Sequence, residues 1–337
     1  MSSNLPKTGG SYRVLHCVRL GAPEDVLEFA DMPRGPLPPG HVRLRVRAAG
    51  VNFPDLLMLA GEYQHKPPLP FIPGFEAAGD ILEVAADVTE WQPGMAVLVH
   101  CRTGAFAEEL VAPVAALLPK PAQYSYEQAA AFPVAANTAW AGLVARGDLR
   151  RGERLLVLGA GGGTGMAAVA LGAQLGARVI AVASSAAKRQ AARQAGAEIT
   201  LDSGNPDWPR ELLALTADHG SDVVFDPVGG AAFHAAWKTV APNGRYLVIG
   251  FASGERPSLP ANKLLLRGAA LIGVRAGEQL RRQPALEPLM RHNLSNWLVS
   301  GQGRPLVSEI HPFNRAARAI SRLGQRQAVG KLVLRIA

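Results

Sequence analysis

A chain of 337 residues, 48% of them apolar, is long enough for two domains with separate cores, and its 36 glycines and 26 prolines suit a globular α/β protein with many turns. No apolar run reaches the ~20 residues of a membrane-spanning helix, residues 1–12 hold no apolar signal core, and two cysteines, Cys17 and Cys101, can build neither a disulfide framework nor a four-thiolate zinc site; a soluble cytoplasmic protein with free thiols is expected. The net charge of +8 is spread along the chain, and its densest groups, 146–154 and 275–291, are broken by acids and apolar residues, as on a solvated surface rather than a nucleic-acid or membrane face.

Residues up to Ser11 read as a flexible leader. Alternation then marks strands at 12–18 and 41–48, the second with Val42, Leu44 and Val46 on one face. Between them, 33–40 is a proline-rich turn segment. The run Pro67-Pro68-Leu69-Pro70-Phe71-Ile72-Pro73-Gly74 is barred from helix and central strand, because proline fixes φ and lacks a donor; it must form a shaped loop. Further strands are expected at 79–84 and 95–99, and the region reads as a small, mostly antiparallel barrel.

The character changes at Ser125. Helices are expected at 126–131 and 135–144, and beyond them strand and helix patterns alternate as in a doubly wound parallel sheet. Strands fall at 154–158, 179–183, 199–201, 222–226, 245–250 and 270–274. Helices fit 186–195, stopped by Gly196, and 231–240, stopped near Pro242. After Gly277 a long helical pattern runs to about 299, and 304–337 gives a strand, a helix at 314–323 and a final strand at 331–336.

Within this series, the apolar run Leu155-Leu156-Val157-Leu158 breaks into Gly159-Ala160-Gly161-Gly162-Gly163-Thr164-Gly165, then into an alanine-rich segment ending at Gly176. Strand, tight glycine turn, helix and second strand, in that order, seat the pyrophosphate of a dinucleotide on the helix N-terminus. Aligned on its last glycine, the loop reads Ala160-x-Gly162-x-x-Gly165, with alanine at the first of the three usual glycine places. Gly162 would let the backbone approach the pyrophosphate, and Gly165 would let the helix pack on the strand. Ala160, Gly161, Gly162, Gly163, Thr164 and Gly165 are therefore the expected phosphate cradle. At the end of the second strand, where an acid would hold the ribose hydroxyls of NAD, stands Ala183, followed by Ser184 and Ser185 with Lys188 close behind. Hydroxyls and a cation suit a 2′-phosphate that a carboxylate would repel, so NADPH is expected rather than NADH. The serines alone also fit a helix N-cap before a solvated basic turn, a reading that does not explain the missing acid.

Several motifs in order extend the picture: Gly50-Val51-Asn52-Phe53-Pro54-Asp55, Pro73-Gly74-Phe75-Glu76-Ala77-Ala78-Gly79, Asn137-Thr138-Ala139-Trp140, the glycine loop, Phe225-Asp226-Pro227-Val228-Gly229-Gly230, Gly244-Arg245-Tyr246 on to Phe251, and Gly330-Lys331-Leu332-Val333-Leu334. With them the chain resembles, across nearly its whole length, the zinc-independent quinone oxidoreductase-like branch of the medium-chain dehydrogenase/reductase superfamily. The resemblance implies an α/β fold: a doubly wound parallel (Rossmann) sheet domain, 133–277, inserted into a discontinuous GroES-like, mostly antiparallel β-barrel catalytic domain, 12–132 and 278–337. It also implies a homodimer joined through the edge of the nucleotide-binding sheets. Zinc-bearing relatives place cysteine at position 52, histidine at 75 and another cysteine near 134. Asn52, Phe75 and Val134 cannot hold zinc, so no metal site is expected and the substrate carbonyl must be polarised by hydrogen-bond donors.

By the same resemblance Asn52 and Tyr63 line the substrate cleft beside the nicotinamide, Asn52 offering an amide donor where the metal would be. Asn52 also reads as a turn or helix cap, and Tyr63 as packing under the proline loop. Thr138 resembles the residue whose hydroxyl faces the nicotinamide, with Asn137 beside it. Gly250 and Phe251 end a parallel strand, where open α/β sheets bind ligands. Lys331 resembles a late cofactor contact, and reads otherwise as a surface lysine before a strand. Relatives often carry a tyrosine after the third strand of the nucleotide domain, where this chain has Ser203. The expected activity is an NADPH-dependent, zinc-independent reduction of quinones or α,β-unsaturated carbonyls. Its rivals are an enoyl-thioester reductase acting on 2-enoyl-CoA and a non-catalytic NADPH-sensing or RNA-binding protein on the same fold.

Overall fold

Val42, Leu44 and Val46 do share a buried face, but the strand that carries them runs further than the alternation, His41–Val51. In the computed structural model, which describes residues 10–336, this strand is the spine of a seven-stranded sheet. Residues 1–9 of the expected leader lie outside the described residues, and Ser11 already pairs in a strand. The sheet runs Val307–Pro312, Lys331–Arg335, His41–Val51, Glu76–Val84, Ala96–His100, Leu117–Pro119, with Glu109–Pro113 also paired to His41–Val51. Only its first two strands are parallel to each other; the other pairings are antiparallel. Ser11–Cys17 pairs with Leu27–Pro33, a strand without a clean alternation because both its faces are half-buried. The proline loop is irregular, as its composition requires, and is tied down by a bridge from Phe71 to Cys17 and by hydrogen bonds that Ile72 O and Pro73 O accept from Gly104 N and Phe106 N.

The second sheet has six strands, all parallel, in the order Ile199–Asp202, Arg178–Ala183, Arg154–Val157, Ser221–Asp226, Val240–Val248, Ala270–Gly273. Numbered along the chain this is 3-2-1-4-5-6, the Rossmann order. Each expected strand is present. The helix expected at 231–240 ends at Trp237, since Val240 already pairs with Ser221, and the strand is bulged before Arg245. The helix expected at 135–144 is α-helical over Pro133–Trp140 and π-helical over Ala141–Arg146. The long helical pattern after Gly277 is broken into Ala276–Arg282 and Glu287–Ser300, because Pro284 cannot donate and pushes Gln283 out of the helical region, to φ −131°. Helices Phe53–Leu59 and Trp208–Leu215, which the apolar pattern did not announce, each carry a proline in the first turn, where its missing N–H has no helical partner to lose.

The chain divides into two compact units, one holding the described residues up to Val134 together with those from Val307 onward, the other Ala135–Leu306. The first boundary is two residues from the expected one. The second differs from the expected 277/278, because Ala276–Arg282 packs on Ala141–Arg146 and the helix after it buries Leu294, Trp297 and Leu298. Among the described residues no helix is long and apolar enough to cross a membrane.

Candidate active site

In the parallel-sheet unit, the chain leaves Arg154–Val157 and turns at Gly159, whose φ of +59° favours glycine. Helix Gly163–Gln174 begins at the N-cap Gly162. A β-carbon at Gly165 would run into Gly159 O and stand 2.8 Å from Ala160 Cα, so only hydrogen fits between helix and turn. At Gly162 the nearest atom to a β-carbon would be Gly159 O at 3.6 Å. The protein's own packing therefore does not require glycine there, whereas a ligand lying against the bare backbone would. Lys188 is drawn to this loop: a β-carbon on Gly161 would stand 2.5 Å from Lys188 Cβ and Cγ.

Ser184 and Ser185 are exposed at the end of Arg178–Ala183. Ser185 caps the helix Ala186–Gln194, its Oγ accepting from Lys188 N at 3.3 Å, which leaves its hydroxyl proton available as a donor. Arg189 is held by Asp202 at 2.9 Å and by Ala183 O at 3.2 Å. Partial burial lowers the Lys188 pKa, a shift that a bound anion would oppose.

Asp226, which the sequence reading passed over as a site residue, organises the turn at the end of Ser221–Asp226. One of its oxygens accepts from Val228 N at 2.7 Å and Gly229 N at 2.9 Å, and the other accepts from the Tyr246 hydroxyl at 2.7 Å. Burial raises the Asp226 pKa against these hydrogen bonds, and burial with the Asp226 charge pushes the Tyr246 phenol up. Gly250 N donates to Asp226 O at 3.3 Å, and the Phe251 ring lies over Gly229, where a β-carbon would stand 2.9 Å from Cδ1. The glycine loop and the Asp226 turn thus end the two central strands at which the sheet order reverses, the usual ligand crevice of an open α/β sheet. A dinucleotide fits this cradle. Asn137 is buried and Thr138 half-buried on Pro133–Trp140.

In the other unit Asn52 and Lys331 meet, 279 residues apart in the chain. Lys331 Nζ donates to Asn52 Oδ1 at 2.6 Å and to Glu76 Oε1 at 2.5 Å. Asn52 Nδ2 donates to Gly50 O at 3.2 Å and to Glu76 Oε1 at 2.9 Å, and Val134 N donates to Glu76 Oε2 at 2.7 Å. A β-carbon on Gly50 would collide with Glu76 Oε1, so glycine makes the room for the carboxylate. Lys331 is not a surface lysine but half of a buried ion pair. Asn52 does cap Phe53–Leu59, through its backbone: Asp55 Oδ2 accepts from Asn52 N at 2.8 Å, and Asp55 Oδ1 from Gly74 N at 3.0 Å. The Tyr63 ring meets Phe75 edge-on at 5.7 Å, packing beside the proline loop.

These residues do not fit zinc. Position 52 presents an amide already engaged on both its atoms, and position 75 a phenyl ring against Tyr63. Cys101 is no substitute, because burial, followed by the Asp55 and Glu76 charges, pushes its thiol up to about 12.

Complete burial raises the Asp55 carboxyl to about 7, against the two N–H donors and Lys331. A carboxyl whose pKa is raised on folding stabilises the fold below its ordinary value of 3.8 and loses that contribution as pH rises through about 7. The unfolding free energy is therefore expected to decline over this window, and the decline to be shallower in Asp55→Asn. Urea titrations at a series of pH values measure both slopes, and equal slopes would refute the assignment.

A nucleotide cradle on a 3-2-1-4-5-6 parallel sheet, joined in one chain to an antiparallel unit with a buried polar cluster, defines a nicotinamide-dependent oxidoreductase. Residues 38–122 match the alcohol dehydrogenase GroES-like domain, and 163–291 match the zinc-binding dehydrogenase model. The chain is 35% identical over 330 residues to the quinone oxidoreductase-like protein 2 homolog of Nematostella vectensis, covering 96% of this chain and 89% of that one. A crystal structure described as a probable oxidoreductase from Mycobacterium abscessus superposes with a TM-score of 0.87 at 35% identity, over 97% of this chain and 100% of that one. One described as an NAD-dependent alcohol dehydrogenase gives 0.86 at 32% identity, over 96% and 100%. The chain belongs to the medium-chain dehydrogenase/reductase superfamily, in its quinone oxidoreductase-like branch.

Proposed function

We propose that the protein is an NADPH-dependent, zinc-independent reductase of quinones or α,β-unsaturated carbonyls, acting in the cytoplasm as a homodimer. The observation that carries the reaction class is the donor set at 52, 75 and 134: asparagine, phenylalanine and valine, with a hydrogen-bonded ion pair where a Lewis acid would otherwise be needed. A bound reduced nicotinamide supplies hydride. The chain's part is to bind, orient and place charge: the backbone from Ala160 to Gly165 takes the pyrophosphate, Asn137, Thr138, Gly250 and Phe251 border the nicotinamide half, and the polar cluster around Asn52, with Tyr63 beside it, faces the acceptor. Quinones and enones suit such a site because they delocalise the incoming charge, so hydrogen bonds suffice. NADPH oxidation stimulated by a small quinone and insensitive to chelator tests the reading. A protein that binds NADPH yet reduces no member of a panel of quinones, enones and enoyl thioesters would refute it.

The preference for NADPH rests on Ser184, Ser185 and Lys188 at the end of a strand with no acid at its tip. Lys188→Met keeps the stem that packs on Gly161 and removes the charge. It is expected to weaken NADPH binding about tenfold to a hundredfold, the worth of one charge-assisted hydrogen bond, and to leave NADH binding within about twofold. Parallel fluorescence titrations with the two nucleotides decide it; equal losses would mean the 2′-phosphate lies elsewhere.

The dimer reading is supported by the outer strand of the parallel sheet, Ala270–Gly273, which has one strand neighbour, and by the preceding helix Ala261–Arg267, where Leu265 and Leu266 are 82% and 81% exposed. An open strand edge flanked by bare leucines suits a second copy across a two-fold axis. Sedimentation should show a dimer in the wild type and a monomer after Leu265→Glu with Leu266→Glu. A wild-type monomer would refute the reading.

A further inference from the structure

We propose that Lys331, rather than Asn52, is the group that stabilises negative charge on the acceptor oxygen, an inference that rests on the reductase reading above. A side-chain amide has two N–H donors, and both of those of Asn52 are engaged, one by Gly50 O and one by Glu76 Oε1. Its Oδ1 accepts from Lys331. An amide held in this way has only an oxygen lone pair left to offer, which would repel a developing oxyanion. The Lys331 ammonium has three donors. Asn52 Oδ1 and Glu76 Oε1 take two, and no third acceptor stands among the described residues. Exposure leaves these two residues as the candidates within the cluster: Glu76 and Asp55 are completely buried, whereas Asn52 and Lys331 keep 6% and 5%, and the hydrogen bonds decide between them.

The rest of the cluster holds that ammonium in place. Glu76 compensates its charge, Val134 N fixes the other carboxylate oxygen, and Gly50 provides the space. Such a cation is preorganised, and acts on an anion more strongly than a solvated lysine would. In the reduction of an enone, a C–H bond forms at the β-carbon with the hydride supplied by the reduced nicotinamide, the C=C π bond breaks, and the electron pair moves to the carbonyl oxygen, which accepts a hydrogen bond from Lys331. The enolate then takes a proton from water at the α-carbon, leaving hydroxide to the solvent. A quinone needs this help less, because its product anion is already delocalised.

The test compares 1,4-benzoquinone with cyclohex-2-enone as acceptors for the wild type, Lys331→Arg and the double variant Lys331→Met with Glu76→Gln, which removes both charges together and keeps an acceptor for Val134 N. Expected for the double variant are unchanged NADPH titration, a fall in kcat on the order of a hundredfold for the enone, and less than about tenfold for the quinone. Lys331→Arg, which keeps the charge and the pair, should fall between the two in the enone-to-quinone ratio, and it carries the test alone if the double variant does not fold. A group that only supports the structure would lower both rates alike, so equal losses, or none, would overturn the role of Lys331 while leaving the reductase reading intact. A wild type that reduces neither acceptor would instead refute the reductase reading itself.

Discussion

Glu76→Ala is expected to lower the unfolding free energy by about 3–5 kcal/mol, or to prevent folding. The carboxylate is completely buried and pairs directly with the Lys331 ammonium, which is itself nearly buried. Its removal leaves that cation with Asn52 Oδ1 alone, and also takes the acceptor from Asn52 Nδ2 and from Val134 N. The buried charge left without its counter-charge carries most of the loss, which is why breaking such a pair costs far more than the pair contributes net. Neutralising both partners should recover most of it, so Lys331→Met with Glu76→Gln is expected to be more stable than Glu76→Ala by about 2 kcal/mol or more, although it carries an additional substitution. Urea titrations of the three proteins measure both differences. A Glu76→Ala protein within about 1 kcal/mol of the wild type would mean that water enters the cluster and screens it.

The glycine turn was legible because its signals are local. Gly159 to Gly165 turn, cap and pack within seven residues, and Ala183, Ser184 and Lys188 stand at a fixed distance along the same unit. The buried polar cluster is made by pairs remote in sequence. Glu76 and Lys331 are 255 residues apart and lie on strands that never pair with each other, so neither alternation nor spacing brings them together. The identity of Asn52 as a polar residue at a special place could be read, but the direction of its hydrogen bonds could not, since this depends on what faces it. Asp226 shows a recoverable omission: an acid ending an apolar strand, followed by proline, valine and two glycines, is a turn signal whose carboxylate has backbone N–H groups to accept. The second domain boundary was lost for another reason. The segment after Gly277 reads as helix in either unit, and only its tertiary contacts, such as those of Ala276–Arg282 with Ala141–Arg146, assign it.

Two glycines of the cradle, three residues apart, should both lose nucleotide binding on substitution by alanine, but only one should lose stability. In Gly165→Ala the new methyl meets backbone, Gly159 O and Ala160 Cα, which cannot turn aside as a flexible side chain would. The helix must lift from the strand, and a loss of about 1–3 kcal/mol in stability is expected together with the loss of nucleotide binding. In Gly162→Ala the backbone, at φ −90° and ψ 164°, already lies in a region open to alanine, and the nearest atom to the methyl is 3.6 Å away. The fold should therefore hold to within a few tenths of a kcal/mol, the difference between glycine and alanine at a helix N-cap being somewhat against alanine. If the pyrophosphate rests against this backbone, the methyl occupies its place, and the Kd for NADPH should rise at least about tenfold at nearly constant stability. Thermal melts and nucleotide titrations on the two variants separate a glycine needed by the protein from one needed by its ligand. A Gly162→Ala protein that binds NADPH as tightly as the wild type would remove the pyrophosphate from the start of helix Gly163–Gln174.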